Sequence, residues 1–166
     1  MTARVALSLL HRLPLLLAVS LSACDLPHTA KDSGVDPSQI MPMLGAVQNS
    51  ETDEVLRLAE QHIGLDERDP ADQGTPMIFA SDTDQWPVVE ILIDHGANIW
   101  AHDQLGVTTA QRTITSRILR GSKEDAARLR VIDKLKARGY PFPPPGRAEV
   151  LALDKAGDWP PHGVRR

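Results

Sequence analysis

The strongest constraint on what this chain can fold into is a short apolar pattern that returns, each time ending on glycine. Val88-Val89-Glu90-Ile91-Leu92-Ile93-Asp94-His95-Gly96 is matched by Val131-Ile132-Asp133-Lys134-Leu135-Lys136-Ala137-Arg138-Gly139, and an earlier copy, one residue longer, runs from Val55 to Gly64. Apolar residues at i, i+1 and i+4 form a single stripe on a helix. The glycine after the last turn accepts the left-handed conformation that stops the helix. Pro87 suits a first turn, where the missing N–H costs nothing. A second marker stands ahead of the middle copy: Gly74-Thr75-Pro76-Met77-Ile78-Phe79-Ala80 returns in part as Gly106-Val107-Thr108-Thr109-Ala110, with Thr75 and Thr108 33 residues apart. Each such unit lacks a core of its own and buries its stripe by stacking on its neighbours.

A 33-residue unit with Thr-Pro opening one helix and glycine closing the next resembles the ankyrin repeat. Gly96-Ala97-Asn98-Ile99 and Asp103-Gln104-Leu105-Gly106-Val107-Thr108 are similar to the consensus Gly-Ala-Asp-Val and Asp-x-x-Gly-x-Thr. The resemblance covers residues 38–140 and is strongest across 74–108. It departs at Met77-Ile78, where the consensus has Leu-His, at Thr109 in place of proline, and at Gly74, which runs straight into Thr75. The resemblance implies an all-α solenoid of about three helix-pair units joined by short hairpin loops. The helices are expected near Ser38–Val47 and Asp53–Gln61, Pro76–Ser81 and Pro87–His95, and Thr108–Arg120 and Lys123–Arg138. Gly139 follows Gly96 by 43 residues rather than 33; the extra residues, roughly Thr115 to Asp125, are expected to lengthen the helices around Gly121-Ser122. After the stack, Tyr140-Pro141-Phe142-Pro143-Pro144-Pro145 favours an extended path, read as a rigid strap over the last repeat. The tail, 141–166, also carries a short helix over Ala148–Ala156 ended by Gly157 and pinned by Trp159.

The first residues have a different character. Arg4, His11 and Arg12 precede a run from Leu13 to Leu21 broken only by Pro14 and Ser20, and no acid precedes Asp25. This is the layout of a secretory signal, with an apolar run too short to span a bilayer stably. Leu21-Ser22-Ala23-Cys24 resembles the lipobox of bacterial lipoproteins, which implies cleavage before Cys24 and acylation of that cysteine. Multiple acyl chains exceed the threshold for stable membrane anchoring. The implied location is the periplasmic side of the envelope. By resemblance to the enteric sorting rule, Asp25 favours the inner membrane over the outer. Residues 1–23 are therefore read as a cleaved signal and 24–37, polar and turn-rich, as a flexible tether.

Removal of the signal leaves 143 residues with 16 basic and 22 acidic side chains, a net charge of −6. That balance argues against nucleic acid as a partner. Residues 50–103 carry thirteen acids against Arg57 and Arg68, whereas residues 107–139 carry nine basic residues against three acids. The readings are compensating surface charge, an acidic docking surface for a basic partner, and a basic last repeat that lies near anionic lipid.

No nucleophile elbow, phosphate loop or His-Glu-x-x-His zinc motif occurs in the sequence, so no catalytic residue, metal ligand or cofactor is assigned and the chain is read as a binder, a monomer, rather than an enzyme. His62 and His95 fall in last helical turns and suit capping. Ankyrin resemblance implies binding through hairpin tips, here Arg68 to Gln73 and Trp100 to Gln104. The candidate partner-binding residues are Asp69, Asp72, Gln73, Trp100, His102, Asp103 and Gln104, with Trp100 read either as an exposed anchor or as packed against the neighbouring hairpin, and Trp86 as a packing residue. The expected partner is another protein: a periplasmic toxin, if this is an immunity or antagonist protein, or a resident envelope protein, if it is a scaffold or accessory factor.

Overall fold

A computed structural model of the chain describes residues 41–161. The expected signal, Cys24, the tether and the first residues of the earliest helix lie outside the described residues. Among those described there are seven helices and no strand: α1 Pro42–Gln48, α2 Thr52–Glu60, α3 Pro76–Asp82, α4 Trp86–Asp94, α5 Thr109–Thr115, α6 Lys123–Ala137 and α7 Arg147–Ala156. None of them is long and apolar enough to cross a membrane.

Several helix ends have a local reason. The Thr75 hydroxyl accepts the Ile78 N–H at the start of α3. Thr108 and Gln111 form a reciprocal capping box at the start of α5, which satisfies two otherwise orphaned groups. Gly96 and Gly139, with φ of 92° and 85°, stop α4 and α6 by Schellman geometry: the Ala97 N–H reaches the Leu92 carbonyl at 3.0 Å and the Tyr140 N–H that of Leu135 at 3.0 Å. At α2 the structure corrects the sequence reading. The stop is His62, at φ 54°, and the Ile63 N–H bonds to Leu58 at 2.9 Å. Gly64 lies beyond the stop, so the earliest copy, Val55 to His62, is one residue shorter than the others rather than one longer. The turns inside the first two pairs use the same device, on Ser50 and Asp84, at φ 58° and 57°.

The third pair breaks this pattern. Helix α5 ends at Thr115, not near Arg120, because Ser116 turns extended at ψ 138° and its hydroxyl bonds to Asp84 at 2.7 Å. Part of the additional length therefore forms a loop, 116–122, and the rest lengthens α6, which has 15 residues against 9 in α4, while α5 is not lengthened. Helix α6 opens on Ser122, whose hydroxyl accepts the Asp125 N–H at 3.1 Å.

The helices pack in pairs, α1 on α2, α3 on α4 and α5 on α6. Along the chain α1, α3 and α5 lie next to one another, as do α2, α4 and α6. Helix α4 therefore sits centrally and buries Trp86, Val88, Val89, Leu92 and Ile93. Fully burying each large apolar side chain contributes about 1.5–3 kcal/mol, far more than a helix of this length gains from propensity. Trp86 is fully buried, with its indole N–H on Asp84 at 3.0 Å, as the packing reading expects.

The opposed charges of the sequence meet between neighbouring pairs. Arg112 of α5 holds Asp82 of α3. Arg130 of α6 forks onto Glu90 of α4 at 2.9–3.1 Å, and Lys134 reaches Asp94 at 2.6 Å. Each exposed pair is worth little alone, but together they fix how the third pair sits on the second. Compensation of this kind takes up three of the thirteen acids of residues 50–103, Asp82, Glu90 and Asp94.

The strap and α7 do not continue this packing. The Gln111 amide donates to the Pro145 carbonyl at 2.8 Å. Helix α7 then lies beside the second hairpin, where a Cβ on Gly106, at φ 75°, would come within 2.4 Å of the Arg147 carbonyl oxygen. Val150 is fully buried.

Leu92→Ala is expected to cost about 2–5 kcal/mol in denaturant unfolding. A loss below roughly 0.5 kcal/mol, the size of an ordinary surface change, would show that the α4 stripe does not carry the core.

Candidate functional site

The two hairpin tips are built from carboxylates that satisfy their own backbone. In the first, the Asp69 N–H bonds to the Gly74 carbonyl at 2.9 Å and the Gln73 N–H to Asp69 at 2.7 Å. Asp69 accepts the Ala71 N–H at 2.8 Å, and Asp72 the Gly74 N–H at 2.7 Å. In the second, Asp103 Oδ1 accepts both the Leu105 and Val107 N–H groups at 2.8 Å. These are the side-chain turns that Asp forms readily.

The tips are joined in register. The Gln104 N–H bonds to the Asp72 carbonyl at 2.8 Å, and the Gln104 amide reaches the Ala71 carbonyl, 33 positions away, at 3.2 Å. Arg68 Nη1 donates to the Gln73 and His102 carbonyls, both at 2.6 Å. Asp66 accepts the Asn98 N–H at 2.8 Å, across 32 positions. Groups 32–34 positions apart in sequence thus meet between the two hairpins.

The expected site residues divide into two sets. Asp72, Gln73 and Gln104 are exposed, Asp69 is half-buried, and Asp69 and Asp72 line a cleft with Leu44, Phe79 and Asp82. Desolvation in this cleft raises the Asp82 pKa, opposed by Arg112 and reinforced by Asp103 and Asp72. Trp100 and Asp103 differ from expectation. Asp103 is 7% exposed, committed to its turn, and Trp100 is 4% exposed. Trp100 stacks on Tyr140 at 4.5 Å between ring centroids, and Trp159 meets it edge-on at 5.4 Å. The Trp159 indole N–H donates to the Trp100 carbonyl at 2.8 Å. Burial pushes the Tyr140 hydroxyl up to about 12. Trp100 is therefore a packing anchor for the tail rather than an exposed tip. His102 is half-buried: Nδ1 lies 2.8 Å from the Asp103 carbonyl and Nε2 3.6 Å from Asp154 of α7. His95 Nδ1 meets the Ile91 carbonyl at 2.8 Å, in keeping with the capping role.

Sequence reasoning passed over three polar fixtures. Arg68 joins the tips; its signal was its isolation as a cation among acids. Glu67 accepts the Leu44 N–H at 3.0 Å, tying the first loop to α1. Arg128, 6% exposed, donates to Asp125 at 2.6 and 3.0 Å and to the Thr113 carbonyl at 2.7 Å. Asp125 also accepts the Gly121 N–H at 2.8 Å. That backbone bond, followed by Arg128, lowers its pKa to about 2.

Comparison with known proteins gives no match to a family model, a curated protein or a solved structure.

Two outcomes are expected. Because the Asp125 pKa is lowered on folding, its contribution is complete above the ordinary carboxylate range and is lost as pH falls from about 4 through about 2. Asp125→Asn should lower stability at neutral pH and flatten the acid limb of a pH-dependent unfolding series; an unchanged limb would remove Asp125 as the lock. Trp159→Ala should cost about 3–5 kcal/mol and move Trp100 emission to longer wavelength; unaltered stability and emission would mean the tail is not pinned there.

Proposed function

We propose that this chain is an ankyrin-repeat lipoprotein, held on the periplasmic side of a bacterial envelope by acyl chains on Cys24, that acts by binding another protein. The observation that carries the repeat reading is the hairpin ladder: groups 32–34 positions apart in sequence are hydrogen-bonded neighbours, as a 33-residue stacking unit requires. The stacked helix pairs with their shared core support it further. The anchor reading rests on Leu21-Ser22-Ala23-Cys24 behind the apolar run.

The binding surface in this reading is the exposed part of the tips, Asp72, Gln73 and Gln104, with Asp69 and the adjoining cleft. Asp82, Glu90 and Asp94 are paired with the third unit, which leaves exposed carboxylates at the first hairpin and along α2, at Glu51, Asp53 and Glu60. Such a surface favours a basic partner by steering encounter. The narrower form is an immunity or antagonist protein against a periplasmic toxin, and the alternative is a scaffold for a resident envelope protein.

A photo-crosslinking residue placed at Gln73 or Gln104 in native membranes is expected to capture a discrete partner, whose identity decides between these forms; crosslinks only from the opposite helical face would overturn the tip assignment. Cys24→Ser is expected to abolish lipid labelling and membrane retention, and an undiminished membrane fraction would refute acylation at that residue.

A further inference from the structure

The loop that interrupts the third pair is unlike any other surface of the described residues. Leu119 is 80% exposed and Ile114, one residue before the end of α5, is 52% exposed. They are the most exposed large aliphatic side chains apart from Leu105 of the second hairpin. Around them Arg117, Arg120 and Lys123 are all exposed, and residues 114–123 contain no acid. The neighbouring Glu124 is turned back on the start of α6, where its own backbone N–H and Ser122 hold its pKa down.

The loop is also held in shape rather than left loose. Ser116 is tied to Asp84 at 2.7 Å, and Ile118 packs against the core. The Gly121 N–H and the Arg120 guanidinium both reach Asp125, at 2.8 and 3.2 Å. Asp125 is in turn locked by Arg128. These fastenings present Leu119 outward on a fixed base. The first two pairs turn without any such segment, so the stack does not need it.

An outward aliphatic tip ringed by cations matches one surface chemically: an anionic bilayer, where the apolar tip enters the acyl boundary and basic side chains lie among the headgroups. A basic protein is disfavoured by like charge, and a self-complementary dimer would place the cations against each other. We propose that residues 114–123 form a membrane-contacting finger that rests the third helix pair on anionic phospholipid. This contact is separate from acylation of Cys24 and stands whether or not that residue is lipidated.

The test reads the finger itself. The full chain carrying Cys24→Ser and Leu119→Cys has a single thiol, which takes an environment-sensitive nitrobenzoxadiazole label. With vesicles of phosphatidylglycerol and phosphatidylcholine in equal parts, the label is expected to shift to the blue and to be quenched by brominated acyl chains. With phosphatidylcholine alone it should do neither. Adding Arg117→Glu and Lys123→Glu, two exposed sites outside the Asp125 lock, should weaken the shift about tenfold or more, with circular dichroism verifying the fold. The apolar segment near the N-terminus can hold the chain on both kinds of vesicle without selecting the anionic one, so charge dependence at residue 119 isolates the finger. A label that stays in water on every vesicle overturns the proposal. So does an equal shift on phosphatidylcholine, or a shift that grows with protein concentration in the absence of lipid, which would make this face a contact between copies.

Discussion

Helices of seven to nine residues cannot hold themselves in water, because nucleating a helix costs more than so few hydrogen bonds return. Five of the seven described helices are that short. Everything else in the structure follows from this constraint. Each helix must be stopped sharply so that its partner can turn back beside it, and left-handed residues do this at Ser50, His62, Asp84, Gly96 and Gly139. Each must be started by a group that satisfies orphaned N–H donors, and Thr75 and Thr108 do so one unit apart. The hydrophobic term then comes almost wholly from neighbours, with α4 between two other second helices supplying the most buried stripe.

The parts of the fold legible in the sequence were those written in local code. Glycine stops, Thr-Pro starts and the apolar spacing of α4 and α6 locate these helices to within a residue or two. His62 was misread because a non-glycine residue takes the left-handed position only when the neighbouring hydrogen bonds enforce it, and that information is not local. The end of α5 was misread for a related reason: Ser116 leaves the helix toward Asp84, a partner supplied by the preceding pair. At the candidate site the distinction is the same. The exposure of Asp72, Gln73 and Gln104 follows from their place in a polar turn. The burial of Trp100 depends on Tyr140 and Trp159, far along the chain, and no local pattern at Trp100 carries that.

Charge shows how a one-dimensional asymmetry becomes a three-dimensional fit. The acidic second unit and the basic third unit are adjacent in sequence, and stacking lays Glu90 and Asp94 against Arg130 and Lys134. Among the charges outside these pairs, carboxylates gather at the first hairpin and along α2, and Arg117, Arg120 and Lys123 gather around the finger. One buried pair is of another kind. Arg128 and Asp125 are both nearly inaccessible, so removing either would leave a desolvated charge. Their value lies in closing a loop that has no apolar interior of its own.

The tail changes what sort of object the stack is. A ladder of hairpins is open-ended in principle, since the outer edge of each rung offers the next one a place to bond. Here α7 lies against Gly106 and Asp154 approaches His102, while Trp159 closes over Trp100. The edge where a further rung would attach is already occupied by the chain's own tail. A hairpin added on this edge would first have to displace α7 and Trp159.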